Sequence, residues 1–106
     1  MGDRKENYLD ILRSLEKQPS FTQRKLASKL GFSLGKLSYS LKGLQEKGLL
    51  KMKNFSKSKS KIKYIYKLTP HGIAEKTKLT INFMNKKMKE YEELKKELEK
   101  KIYLHK

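Results

Sequence analysis

The chain has 106 residues, with 27 Lys+Arg against 11 Asp+Glu, a formal charge of +16 and no cysteine. This length supports one modest core and excludes a two-domain enzyme. The absence of thiols excludes disulfides and thiolate metal ligands, and His71 and His105 lie too far apart for a local metal motif. Only 36% of the residues are hydrophobic, below the ~45–50% usual for globular chains, so an ordered core requires them to recur periodically. The positive excess favours a polyanionic partner, nucleic acid first and an anionic membrane surface second, because binding releases condensed counterions. No stretch approaches the ~18 apolar residues of a membrane span, and no apolar segment follows the N-terminal residues. The chain reads as soluble and intracellular.

From Arg4 to Lys17, Tyr8, Leu9, Ile11, Leu12 and Leu15 fall on one side of a helical wheel, which predicts a first amphipathic helix. Pro19 ends it. Ser20 offers an N-cap oxygen and Gln23 the second half of a capping box, so a second helix is predicted from about Phe21 to Leu30, closed by Gly31. Ser33 caps a third, in which Leu34, Leu37, Leu41 and Leu44 keep helical spacing until Gly48. The second and third helices, separated only by Gly31-Phe32-Ser33, form a helix-turn-helix candidate.

The period then changes. Leu49, Leu50 and Met52 begin a strand, and Ile62, Tyr64, Tyr66 and Leu68 alternate with Lys61, Lys63, Ile65 and Lys67 as in a half-buried strand. The polar run from Asn54 to Lys61 between them reads as a long hairpin loop, and a hairpin in this place is a wing, spanning about 51–68. Thr69 and Pro70 supply the N-cap and first position of a last helix that can continue to about Leu104. Its residues Ile81, Met84, Met88, Tyr91, Leu98 and Ile102 follow an a/d spacing interrupted by Lys95, with Leu94 beside the seam. This stripe predicts an interaction helix that dimerises. The expected architecture is mainly α with a small β-hairpin: a winged helix-turn-helix over 1–69, then a long C-terminal dimerisation helix over 70–106.

Two surfaces can carry chemistry. Lys51 to Leu68 holds seven lysines and no acidic residue; Lys57, Lys59, Lys61 and Lys63 would point to one side if extended, with serines between them that can bond phosphate oxygens. The other surface is the outward side of the third helix, where Lys36, Ser38, Tyr39, Ser40, Lys42 and Gly43 remain once the leucines face inward. Ser33, Lys36, Ser38, Tyr39 and Lys42 are the candidate base-reading residues of a recognition helix. Packing against the wing or the first helix competes with DNA contact for Tyr39. Gly43 permits close approach to DNA or to another helix. Ser20, Thr22 and Gln23 can meet phosphate at the start of the second helix. No glycine-rich phosphate loop, G-x-S-x-G or H-E-x-x-H is present, and the glutamates sit in a Lys/Glu-rich helix suited to ion pairs, so catalysis and cofactors are not expected.

The segments Phe21–Ser33, Leu37–Leu50 and Tyr66–Gly72 resemble a winged-helix regulator of the MarR type. Leu41 to Leu49 is similar to that family's "L-x-x-L-x-x-x-G-L" lead into the wing, and Leu68-Thr69-Pro70-His71-Gly72 to its "L-T-x-x-G" exit. With the long helix, the closest likeness is to the small group associated with bacterial exopolysaccharide gene clusters. The resemblance implies a bacterial, cytoplasmic, dimeric regulator of transcription that binds double-stranded DNA. In it, Lys36, Ser38, Tyr39 and Lys42 would lie on the recognition helix and Lys57, Lys59 and Lys61 in the wing. Larger members dimerise through helices at both ends and often hold a small ligand. Here about three residues precede the first helix, so the C-terminal helix is expected to dimerise alone and a small-molecule effector is not expected. The wing also lacks the family's common tip arginine, and lysine reads a minor groove less specifically. The competing class is an RNA-binding or protein-interaction module that reads no operator. Membrane binding ranks below both because acidic residues interrupt the long helix's basic face.

Overall fold

The computed structural model of the protein describes residues 4–58 and 61–104, with 54–58, 61–62 and 103–104 described as backbone only. The elements in chain order are α1 (Arg4–Lys17), β1 (Ser20–Thr22), α2 (Gln23–Leu30), α3 (Leu34–Glu46), β2 (Leu50–Ser58), β3 (Lys61–Leu68) and α4 (Pro70–Leu104). The predicted order holds, with one added strand and a longer hairpin. An α4 of 35 residues gives the molecule its elongated 66 × 29 × 21 Å outline.

The core forms where the apolar faces of α1 and α3 meet the base of the sheet. Ile11, Leu12, Leu15, Leu37 and Leu44 are completely enclosed, and Leu49, Leu50, Tyr66 and Leu68 close the layer from the hairpin side. All five apolar residues expected of α1 are buried, together with Ser14. In α3, Leu37, Leu41 and Leu44 are buried as predicted, but Leu34 is 47% exposed. It occupies the first helical position, ahead of the turn that touches α1. Ser40 is buried rather than outward, since its small side chain fits between the leucines on the inner side.

The expected start of α2 is corrected. Ser20, Phe21 and Thr22 form a third strand, antiparallel to β3, with Ser20 opposite Ile65 and Thr22 opposite Lys63. The N-cap is therefore Thr22, whose hydroxyl accepts from the Lys25 N–H at 3.2 Å. Pro19 contributes by lending its carbonyl to the Tyr66 N–H at 3.3 Å. Phe21 then stacks on Tyr64 and Tyr66, with ring centroids 5.8 Å apart in each case, so aromatic packing holds this short strand on the sheet. Burial, and secondarily the neighbouring Tyr64 phenol, push the Tyr66 hydroxyl above its ordinary pKa.

The expected hairpin loop is also corrected. Pairing continues from Leu50–Leu68 to Ser58–Lys61, so most of the polar run is strand. Backbone pairing needs no apolar side chain, and the ribbon extends past the core that a period-2 pattern would report. The register shifts between Met52 and Asn54, making Lys53 the extra residue of a bulge that increases the ribbon's local twist.

The first half of α4 runs antiparallel to α1. Lys76 pairs with Glu16 at 2.9 Å and Lys86 with Glu6 at 3.8 Å, while Leu79 is buried and Phe83 packs against the core between them. Thr69 caps α4 as predicted: its hydroxyl accepts from the Gly72 N–H at 2.9 Å and donates to the Gly48 carbonyl at 2.6 Å. Among the described residues no helix is long and apolar enough to cross a membrane.

Candidate nucleic-acid interface

The turn between α2 and α3 is fixed at both ends by backbone chemistry. Gly31 adopts the left-handed conformation (φ 70°), and Phe32 N–H returns to the Ala27 carbonyl at 2.8 Å. Ser33 then starts α3, its hydroxyl accepting from the Lys36 N–H at 3.1 Å. With Leu37, Ser40, Leu41 and Leu44 locked inward, the opposite strip of α3 has one possible direction. It carries Gly35, Ser38, Tyr39 and Lys42, all exposed, while Leu34 is exposed at the helix's first position on the leucines' own side. Tyr39 is 68% exposed, so it does not pack on the wing or on α1. Lys36 is exposed at the edge of this strip, with its ammonium 4.2 Å from the centroid of the Phe32 ring. Ser33, Lys36, Ser38, Tyr39 and Lys42 thus come together on one surface.

Gly43 does not belong to that surface. A Cβ there would lie 2.7 Å from the Tyr8 hydroxyl, so the close approach that glycine allows is made by α1.

Thr22 and Gln23 lie at the N-terminus of α2, while Ser20 stands three residues earlier in β1 and is removed from the helix end where it was expected. Beside Thr22, a groove of about 470 Å³ runs between the end of α1, β1 and α2, and Lys25, Lys29 and Lys63 line it with no acidic residue among them. Sequence reasoning missed this cluster because Lys63 reaches it only through the pairing of β1 with β3.

The wing lysines Lys57 and Lys61 lie on paired strands, and the chain reverses between them, so they do not belong to one extended run. Their side chains, all of Lys59, and His105 lie outside the described residues. On α4, the expected seam residues Ile81, Met84, Met88, Tyr91, Leu98 and Ile102 are exposed, between 53% and 63%. They lie about a third of a turn from the Leu79 and Phe83 stripe that contacts α1. Among the described residues no group of three or more histidine or acidic side chains converges to hold a metal ion.

A strand-paired wing following two helices that meet at a glycine turn is an arrangement shared with known proteins. Residues 5–51 match the family of winged helix-turn-helix DNA-binding domains. The N-terminal part of this chain is a winged helix-turn-helix. Solved structures extend the likeness to about 69–74% of the chain. The PcaV transcriptional regulator of Streptomyces coelicolor, solved with its natural ligand, is similar over 74% of this chain and 55% of its own, at 18% identity and a TM-score of 0.63. A mutant MarR of Escherichia coli complexed with operator DNA is similar over 69% of this chain and 51% of its own, at 25% identity and a TM-score of 0.56. A MarR-family transcriptional regulator of Silicibacter pomeroyi is similar over 73% of this chain and 49% of its own, at 25% identity and a TM-score of 0.55. The chain thus spans about half the length of these neighbours. No curated relative matches the sequence. The winged helix-turn-helix here is followed by one long helix, whose distal half extends beyond α1.

Proposed function

We propose that the protein is a sequence-specific transcriptional regulator of the MarR type that binds duplex DNA as a homodimer. The observation that carries this reading is the outward strip of α3. Its back is locked into the core, it is capped by Ser33, and it presents exposed polar and basic groups. A helix held this way can enter a major groove, with its N-terminal half nearest the base edges. Thr22 and Gln23 would meet phosphate at the start of α2, with Ser20 alongside on β1, and Lys57, Lys59 and Lys61 would meet phosphate or minor groove from the wing. The charge of +16 supplies the attraction. The similarity to a MarR solved on its operator supports the same use of the fold.

Dimerisation is assigned to the second stripe of α4. Ile81, Met84, Met88, Tyr91, Leu98 and Ile102 repeat at heptad spacing on a helix already anchored to its own core by another stripe. A second copy buries this seam without unmaking the first contact. The work is then divided between a DNA-binding part over 1–69 and an assembling helix over 70–106. Two recognition helices related by a two-fold axis require half-sites about one turn apart.

The test is fluorescence anisotropy of the intact protein with the duplex upstream of its own gene, a heterologous duplex and a structured RNA, joined to sedimentation equilibrium. Preference for the upstream duplex at two protomers per site is the expected result. Preference for RNA, or a monomer on the duplex, overturns it. The resemblance to the exopolysaccharide-associated group makes promoters of such clusters the first further duplexes to try.

A further inference from the structure

We propose that α3 reads the C5-methyl groups of thymine, so that the preferred site has thymines, rather than guanines, at the positions each recognition helix touches. This rests on the regulator reading above and adds the chemistry of the bases it selects.

Gly35, Ser38, Tyr39 and Lys42 are spaced so that they lie on the side away from Leu37, Ser40, Leu41 and Leu44, and Leu34, which shares the leucines' spacing, is exposed beside them because it is the first residue of the helix. Two of them, Leu34 and Tyr39, are large apolar groups, 47% and 68% exposed, on a helix whose inner side is fully packed. Neither contributes to the core. The strip has no Arg, Asn or Gln, the planar groups that form paired hydrogen bonds to guanine O6/N7 or adenine N6/N7. The one glutamine of α3, Gln45, is half-buried and accepts from the Tyr66 hydroxyl at 3.4 Å. Lys36 and Lys42 bring charge on flexible stems, which draws the helix to a polyanion without imposing a fixed pair of donors. The only acidic residue of the helix, Glu46, is in its last turn, roughly 18 Å along the axis from Leu34.

Either lysine can also donate to guanine O6 or N7, but with its less fixed geometry base selection by this strip rests more on the Ser38 and Tyr39 hydroxyls and on apolar contact. The major-groove edges of the four base pairs offer one apolar group, the methyl of thymine. Gly35 helps the approach: a Cβ at that position would meet nothing within 4 Å, and its absence lets the backbone between Leu34 and Lys36 come close to a base edge. Two exposed apolar groups in the N-terminal half of α3, with Lys36 between them in sequence and Lys42 beyond, on a chain of charge +16, fit a methyl-lined groove between two phosphate backbones.

The experiment uses the intact protein and a pool of duplexes with about twenty randomised base pairs, enough for two half-sites one turn apart. Retained duplexes are sequenced and remade with deoxyuridine for thymine, which deletes the methyl and leaves base pairing and the minor groove unchanged. Fixed thymines in each half-site are expected, with affinity lost about fourfold for each contacted methyl. Leu34→Ala and Tyr39→Ala, at exposed positions where folding is not at stake, should weaken binding to the thymine duplex towards that of its uracil counterpart and so lose the distinction between thymine and uracil. Fixed guanines with unchanged affinity for the uracil duplexes overturn the proposal, as does retention without any consensus. Retention of no duplex overturns the regulator reading itself, which separates the two failures.

Discussion

Gly72, in the first turn of α4, lies so close to the carbonyl oxygen of Leu49 that a Cβ at position 72 would overlap it. The same spot is tied by Thr69, whose N–H donates to that carbonyl at 3.1 Å while its hydroxyl bonds to Gly48. Backbone cannot rotate aside as a side-chain tip can. Gly72→Ala is therefore expected to cost about 1–3 kcal/mol in urea unfolding, as overpacking does. Gly43→Ala meets only the tip of Tyr8 and gains up to about 1 kcal/mol of helix propensity, so its net change should be smaller. Equal losses would refute the distinction.

The two stripes of α4 predict opposite phenotypes. Leu79 is 7% exposed against α1, and Leu79→Ala should lower stability by about 2–3 kcal/mol. Replacing Met84, Met88 and Tyr91 together by serine should leave the circular dichroism of the fold intact and abolish self-association in sedimentation equilibrium. A triple variant that still dimerises would move the interface elsewhere.

Replacing Lys57, Lys59 and Lys61 by alanine should weaken binding to all duplexes alike, because phosphate contacts carry no sequence information. The dependence of log affinity on log salt should flatten by up to about three units. An unchanged slope would place the wing off the DNA.

Tyr66 makes stability depend on alkaline pH. Its hydroxyl is held above the ordinary value of 10.0, first by burial and then by Tyr64. The unfolded chain therefore releases this proton before the folded one does. The contribution is complete below the unfolded value and is lost as pH rises from there through the folded value. Tyr66→Phe should fall less steeply than the parent above about pH 10, by at most about 1.4 kcal/mol per pH unit. Parallel curves in urea titrations would rule the effect out.

What was legible in the sequence was whatever repeats. The inner residues of α1 and α3 follow the helical period, Gly31 and Ser33 mark the turn, and Thr69-Pro70 marks the start of α4. What escaped depends on distant partners or short spans. β1 has three residues, too few to show alternation, and its pairing with β3 joins positions far apart in the chain. The start of α2 was misplaced for that reason, since Ser20 and Thr22 are equally good capping types and the strand decides between them. The polar half of the hairpin is strand without a core to report it. On α4 the longer heptad run drew attention from Leu79 and Phe83, which share the helix but face α1. In the candidate site, the outward residues of α3 followed from the inward ones. Ser40 proved to be inward because its position on the helix outweighs its polar type, and Leu34 exposed because the helix begins there, ahead of the contact with α1.

The cluster of Gly48, Leu49, Thr69 and Gly72 joins the end of α3, the root of β2, the end of β3 and the first turn of α4 within a few residues. Four elements share a single pivot. A tilt of α4 would have to carry the wing's root and the tail of α3 with it, because the Leu49 carbonyl leaves no slack at Gly72. In the proposed dimer, the angle at which two copies clasp each other would then also be the angle at which each grips a duplex, making assembly and recognition one mechanical degree of freedom.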